Sequence, residues 1–129
     1  SEGLSNYGEE TLLNALVGKT VNLILYDDST DGLTDSDGSG AISTEPSGGT
    51  TTKTITIQSS DLSLTSDNWT FSRDVTFGDL TDASGRVDAV AVEEDGTTDL
   101  LFRGLLDSAI TDLGPVDKID PLTVSMPLD

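Results

Sequence analysis

Val21–Tyr26 reads VNLILY, an apolar run broken only by Asn22. It is too short for a typical helix and rich in residues that suit a pleated surface, so it reads as a buried strand. Downstream, Thr51–Gln58 alternates, with Ile55 and Ile57 on one face and threonines on the other. Leu62 and Leu64 repeat that pattern briefly. Trp69, Phe71, Val75 and Phe77 share odd parity. Arg73 interrupts that apolar face, which predicts a bulge or a sheet edge there. Arg86–Glu93 and Leu100–Leu106 flank Asp95-Gly96, a hairpin turn signal. The final strand spans Leu122–Leu128, with Leu122, Val124, Met126 and Leu128 facing one way; Pro121 and Pro127 place it at an edge. Short strands with frequent turns predict an all-β domain, mainly an antiparallel β-sandwich of jelly-roll type, over residues 21–128.

Upstream, residues 4–18 predict the one substantial helix. Leu4, Tyr7, Leu12, Leu13, Leu16 and Val17 fall mostly on one helical face. Ser5 or Asn6 can cap it, Glu9 and Glu10 sit in the early turns, Gly18 follows the last turn, and Lys19 lies at the negative end. The stripe predicts a helix docked on one end of the sheet domain, with an assembly surface as the alternative. Residues 27–50 hold acids, Gly, Ser and Thr without periodicity and read as a long loop, functional or mobile. The whole chain, 1–129, reads as a single domain.

Acidic residues outnumber basic ones 24 to 6, for a net charge of −18, and neither histidine nor cysteine occurs. Such charge fits intrinsic disorder, a cation binder, or adaptation to high salt. The acids are spread along the chain, aspartate dominates, and lysine is reduced to Lys19, Lys53 and Lys118, a pattern that favours a salt-adapted surface. At molar salt the Debye length falls to about 3 Å, so dense carboxylates barely repel. Nucleic acid is disfavoured as a partner because no basic stripe or patch exists. Membrane insertion is disfavoured because no stretch approaches ~20 apolar residues. No basic-apolar leader is visible, so synthesis and first residence are expected in the cytoplasm.

Catalysis has little to stand on. The commonest general base and the strongest nucleophile among side chains are both absent. Gly48-Gly49 carries no phosphate-loop pattern. The paired carboxylates Asp27/Asp28 and Glu93/Glu94 read as surface solvation, since neighbours on a strand point to opposite faces. Arg73, Arg86 and Arg103 sit amid acids and predict structural ion pairs, within or between subunits. The sharpest local signal is Asp35–Ser43, DSDGSGAIS, which matches the first nine positions of an EF-hand calcium loop. Asp35, Asp37 and Ser39 are its candidate Ca2+ ligands, with Asp27, Asp28 and Asp31 able to add oxygens. The pattern fails at its twelfth position, which is Pro46, with Glu45 one place early.

The order of segments resembles small structural proteins of tailed bacterial viruses and haloarchaeal tailed viruses, often labelled tail-fibre proteins. Leu4–Gly18 (LSNYGEETLLNALVG) is similar to their opening Leu-Ser-Asn-Tyr helix. Val21–Tyr26, the Gly- and acid-rich residues 27–49, and Thr50–Ile57 follow in the same order. Gly96–Leu106 (GTTDLLFRGLL) resembles the group's Gly-Asn-Leu-Leu-Phe-x-Gly strand, and Leu122–Leu128 its closing strand. The chain departs from the group in its acidic loop and its excess of Asp. The resemblance implies a virion structural role, self-assembly, docking on a capsid or tail, and no catalytic residues. The resulting expectation is a capsid turret or decoration protein of a haloarchaeal tailed virus, or a tail-fibre or baseplate component. It would form a symmetric trimer or pentamer on the virion exterior, with acidic loops facing brine or the host surface. It would need no cofactor. The alternative is a calcium-dependent binding module using Asp35–Ser43.

Overall fold

A computed structural model describes residues 3–77, 80, 83–111, 113 and 122–128. Pro121 and the side chain of Leu122, both part of the edge-strand reading, lie outside the described residues. Seven strands are described: β1 (Thr20–Tyr26), β2 (Thr52–Thr56), β3 (Leu62–Thr65), β4 (Asn68–Val75), β5 (Val87–Glu94), β6 (Leu100–Ile110) and β7 (Leu122–Pro127). They form two antiparallel sheets, ordered β2-β1-β5-β6 and β3-β4-β7. Among the described residues no helix is long and apolar enough to cross a membrane.

The sheets face each other across one apolar cluster. Val21, Leu23 and Leu25 of β1 and Val90 and Val92 of β5 meet Phe71 and Val75 of β4 and Val124 and Met126 of β7. Alternation puts those residues on one face of each strand. The rings of Phe71 and Phe102 bridge the two sheets with centroids 5.1 Å apart and a tilted geometry. The antiparallel sandwich expected from the alternating runs is therefore the fold.

Arg73 is a correction in part. No bulge lies at this position, since the register of β4 with β7 runs unbroken through Arg73↔Val124. On the other side the pairing with β3 ends at Leu62↔Phe71, so Arg73 stands just past that ladder at a local edge, the other half of the expectation. The guanidinium leaves the apolar face by reaching Asp61, 2.8 Å away, and the carbonyl of Thr56. The irregularities fall on β6 instead. Between Val92↔Phe102 and Glu93↔Leu100 it carries one extra residue, and between Ala89↔Leu105 and Val87↔Ile110 several. Bulges on an edge strand disrupt its outer hydrogen-bonding row and discourage edge-to-edge pairing.

The helix is shorter than residues 4–18. Helix α1 spans Asn6–Leu13 and continues as a 3-10 turn over Asn14–Leu16. Ser5 is the cap, its side chain accepting from the Gly8 amide. Lys19 lies beyond the helical residues, and its ammonium pairs with Glu94 at 2.9 Å. The docked-helix expectation is also corrected, because no residue of α1 is buried. Only Leu16, in the 3-10 turn, packs on the core. The helix is held by Gly18, whose amide donates to the Ile57 carbonyl, and by Asn6, whose side-chain amide donates to Asp67.

Where β6 meets β7 the sheets approach closely at Gly104. A Cβ added there would lie 2.4 Å from Met126 Cβ, so no larger residue fits without moving a strand. Gly104→Ala should cost about 1–3 kcal/mol in chemical denaturation, as overpacking does. Gly40→Ala, where an added Cβ meets nothing within 4 Å, should unfold close to wild type.

Candidate functional site

β1 and β5 are apolar on both faces, so the four-stranded sheet needs a second cover. Tyr26 of β1 and Ala89 and Ala91 of β5 point away from the sandwich interior and are nevertheless buried. Leu33 and Ile42 pack against them. These two residues belong to the stretch 27–50, and this corrects the reading of that stretch as a long loop without elements of its own. It forms a short helix α2 (Asp28–Asp31) and a 3-10 turn (Ser39–Ala41), and it lies across the outer face of the sheet. The alternation in Asp88–Glu93, DAVAVE, encodes both covers. Val90 and Val92 fill the sandwich, while the small Ala89 and Ala91 let the covering segment come close.

Carboxylates hold the cover in place. Asp27 caps α2 and is buried, which corrects the solvated role expected for it. Its carboxylate accepts from the Ser29 amide and hydroxyl and from the Thr30 hydroxyl, and it pairs with Arg86 at 2.6 Å. Asp88, on β5, accepts from the Asp28 and Ser29 amides and from Arg86. Asp31 accepts from the amides and hydroxyls of Ser43 and Thr44, tying the two ends of the cover together. Tyr26 donates its hydroxyl to Asp28, which also accepts from the Leu33 amide.

These contacts move the titrations. The Ser29 hydroxyl above all, then Thr30 and Arg86, hold the Asp27 carboxyl below its ordinary value against the upward pull of burial. Burial pulls Asp31 upward, but its hydrogen bonds from Ser43 and Thr44 outweigh that and leave it below the ordinary value. Burial first, then the charge and hydrogen bond of Asp28, push the Tyr26 phenol well up.

The candidate calcium ligands serve separate partners. Asp35 is exposed and pairs with Arg103 at 2.9 Å. Asp37 accepts from the amide and hydroxyl of Thr34, within its own turn. Ser39 uses its backbone amide, which donates to the Thr98 carbonyl in the β5–β6 turn. Gly38 permits that approach: a Cβ there would sit 2.5 Å from Thr98 O. Asp35 and Asp37 line one cleft of about 460 Å3 beside β6 and the end of β7, and Ser39 does not line it. Among the described residues no group of three or more His, Cys, Asp or Glu side chains is placed to hold a metal ion.

Arg73, Arg86 and Arg103 each make ion pairs within the chain, to Asp61, to Asp27 and Asp88, and to Asp35. Glu93 accepts from Asn22, and Glu94 from Lys19. Sequence reading passed over Asp88 and Thr44 and gave Asp31 only a possible metal role. The signal was present in Asp27–Gly32, DDSTDG, which is a capped helical turn: an Asx cap, hydroxyls two and three residues on, and a closing Gly. No family model, curated protein or solved structure matches the chain.

A group whose folded pKa is depressed stabilises the fold above its unfolded pKa and loses that contribution as pH falls. Asp27 and Asp31 are both held below 3.8, so stability should be level at neutral pH and fall as pH drops through about 4. Asp31→Asn should lower the melting temperature at pH 7 and flatten the acid limb of a melting-temperature profile. An unchanged acid limb in that variant would assign the effect to other carboxylates.

Proposed function

We propose that this chain is a structural building block on the exterior of a haloarchaeal tailed virus. It would be a turret or decoration protein of the capsid, or a component of the tail fibre or baseplate. It would work as a symmetric homo-oligomer anchored on other virion proteins. The observation that carries this reading is where the charge lies. Among the described residues the buried charged side chains are Asp27 and Asp61, both ion-paired, and the other described acids lie at least partly in solvent on a folded sandwich. A folded, strongly acidic shell suits a protein that meets brine directly.

The stretches that carry the resemblance support the same reading. Leu4–Gly18 holds α1 and its 3-10 turn, Val21–Tyr26 is β1 without its first residue, Gly96–Leu106 runs from the β5–β6 turn into β6, and Leu122–Leu128 is β7 with one further residue. They are the elements that frame the sandwich. In mechanical terms, the sandwich supplies a rigid unit, the pinned cover thickens one of its faces, and oligomerisation sets the spacing on the particle.

Purified particles of the virus encoding this chain should contain it in stoichiometric amount by quantitative mass spectrometry. Its absence from particles, with presence in infected cells, would end the proposal. The salt adaptation has its own check. Between about 0.1 M and about 2 M KCl the melting temperature should rise by about 5 °C or more, because carboxylate repulsion is screened. Equal melting in both would contradict the adaptation.

A further inference from the structure

We infer that α1 is the surface through which copies of this chain associate, its uncharged face meeting the same face of a second copy. The inference rests on the self-association part of the proposed function and names the contact.

Six large apolar side chains stand out in water among the described residues; four of them lie on α1 or within four residues of its ends, and a fifth is on the strand before the turn that α1 touches. Leu4 is 54% exposed, Tyr7 78%, Leu12 61% and Val17 38%. The fifth, Leu64, 41% exposed, is on β3, beside the turn whose Asp67 holds Asn6. The helix presents Tyr7, Gly8, Thr11 and Leu12 on one side, at the i, i+1, i+4, i+5 spacing of a single face. Leu4 covers Gly8, since a Cβ built there would lie 3.5 Å from Leu4 Cδ2. Thr11 gives its hydroxyl to the Tyr7 carbonyl within the helix, so the Tyr7 phenol, whose apolar ring can bury while its hydroxyl stays at the wet rim, is the polar group left on that face. Glu9 and Glu10 fall on the opposite side, at the remaining helical angles.

Two arguments identify a second copy as the occupant. The first is charge. Residues 3–18 contain only Glu9 and Glu10 of the chain's 24 acids, and no basic residue. Two chains at −18 each repel wherever carboxylates face one another, and a basic partner would find nothing on this face to pair with. Two copies of an uncharged face bury no unpaired charge. The second is area. The five exposed side chains leave roughly 500 Å2 of surface in water, the size of a functional patch. Two copies meeting face to face would then bury about 1,000 Å2, where specific interfaces begin.

The test is the mass of the intact chain at micromolar concentration in about 2 M KCl, by sedimentation and light scattering. Wild type should be a discrete oligomer. Leu12→Asp and Tyr7→Asp place a carboxylate on the face and should weaken association by about tenfold or more. Their melting should follow that of wild type measured as monomer, because nothing in α1 is buried. Leu12→Gln and Tyr7→Gln, milder changes, should weaken association in the same order. Leu105→Asp, at the exposed leucine away from this face, should leave the oligomer intact. An oligomer indifferent to the α1 substitutions would overturn the inference and leave self-association standing. A monomeric wild type would overturn both, and the particle inventory would still decide the virion reading.

Discussion

The two central strands of the larger sheet, β1 and β5, are apolar on both faces, and the architecture follows from covering them twice. One cover is the three-stranded sheet. The other is the segment that leaves β1 at Asp27 and returns to β2 at Thr52. Two apolar contacts, Leu33 and Ile42, would hold so polar a segment weakly. Asp27, Asp31 and Asp88 do the rest by accepting hydrogen bonds from backbone amides and hydroxyls of the cover itself, which draw its turns together and onto β5. Among the described residues some carboxylates are internal fasteners, and others, such as Asp35, stand out in solvent.

That division reconciles the charge with a folded domain. A chain at −18 destabilises itself through repulsion, and each fastening carboxylate adds to the total. The cost is reduced where Arg86 sits between Asp27 and Asp88, and where Arg73 meets the buried Asp61. All three arginines are spent on such pairs, leaving the outer surface to be screened by salt. Against that exterior, the uncharged face of α1 is the exception on which association can be built.

Much of the sheet structure was legible in the chain because period-two alternation is a direct image of burial. Ile55 and Ile57, Phe71 and Val75, Val124 and Met126 all point where their parity says. VNLILY announced a buried strand, though not which segment covered its second face. Three features escaped for physical reasons. Residues 27–50 lack periodicity because they are fastened by side chain to backbone contacts, which leave little hydrophobic pattern. Arg73 marked the end of the β3–β4 ladder, but its partner Asp61, 12 residues upstream, left no pattern that named it. The apolar stripe of α1 looked like a core contact because an apolar helical face reads the same in sequence whether or not the domain itself covers it. The EF-hand-like run was read from composition and spacing, and the fold directs Asp35 to Arg103 and Asp37 to Thr34.

The central claim is that an acidic sandwich serves as an exterior building block. A cryo-electron reconstruction of the particle tests it most directly. The account predicts symmetric protrusions on the capsid or tail surface into which the two-sheet sandwich fits, α1 turned toward the local symmetry axis and the acidic surface toward solvent. A complete particle surface, at resolution sufficient to trace strands, with no density matching this fold would contradict it.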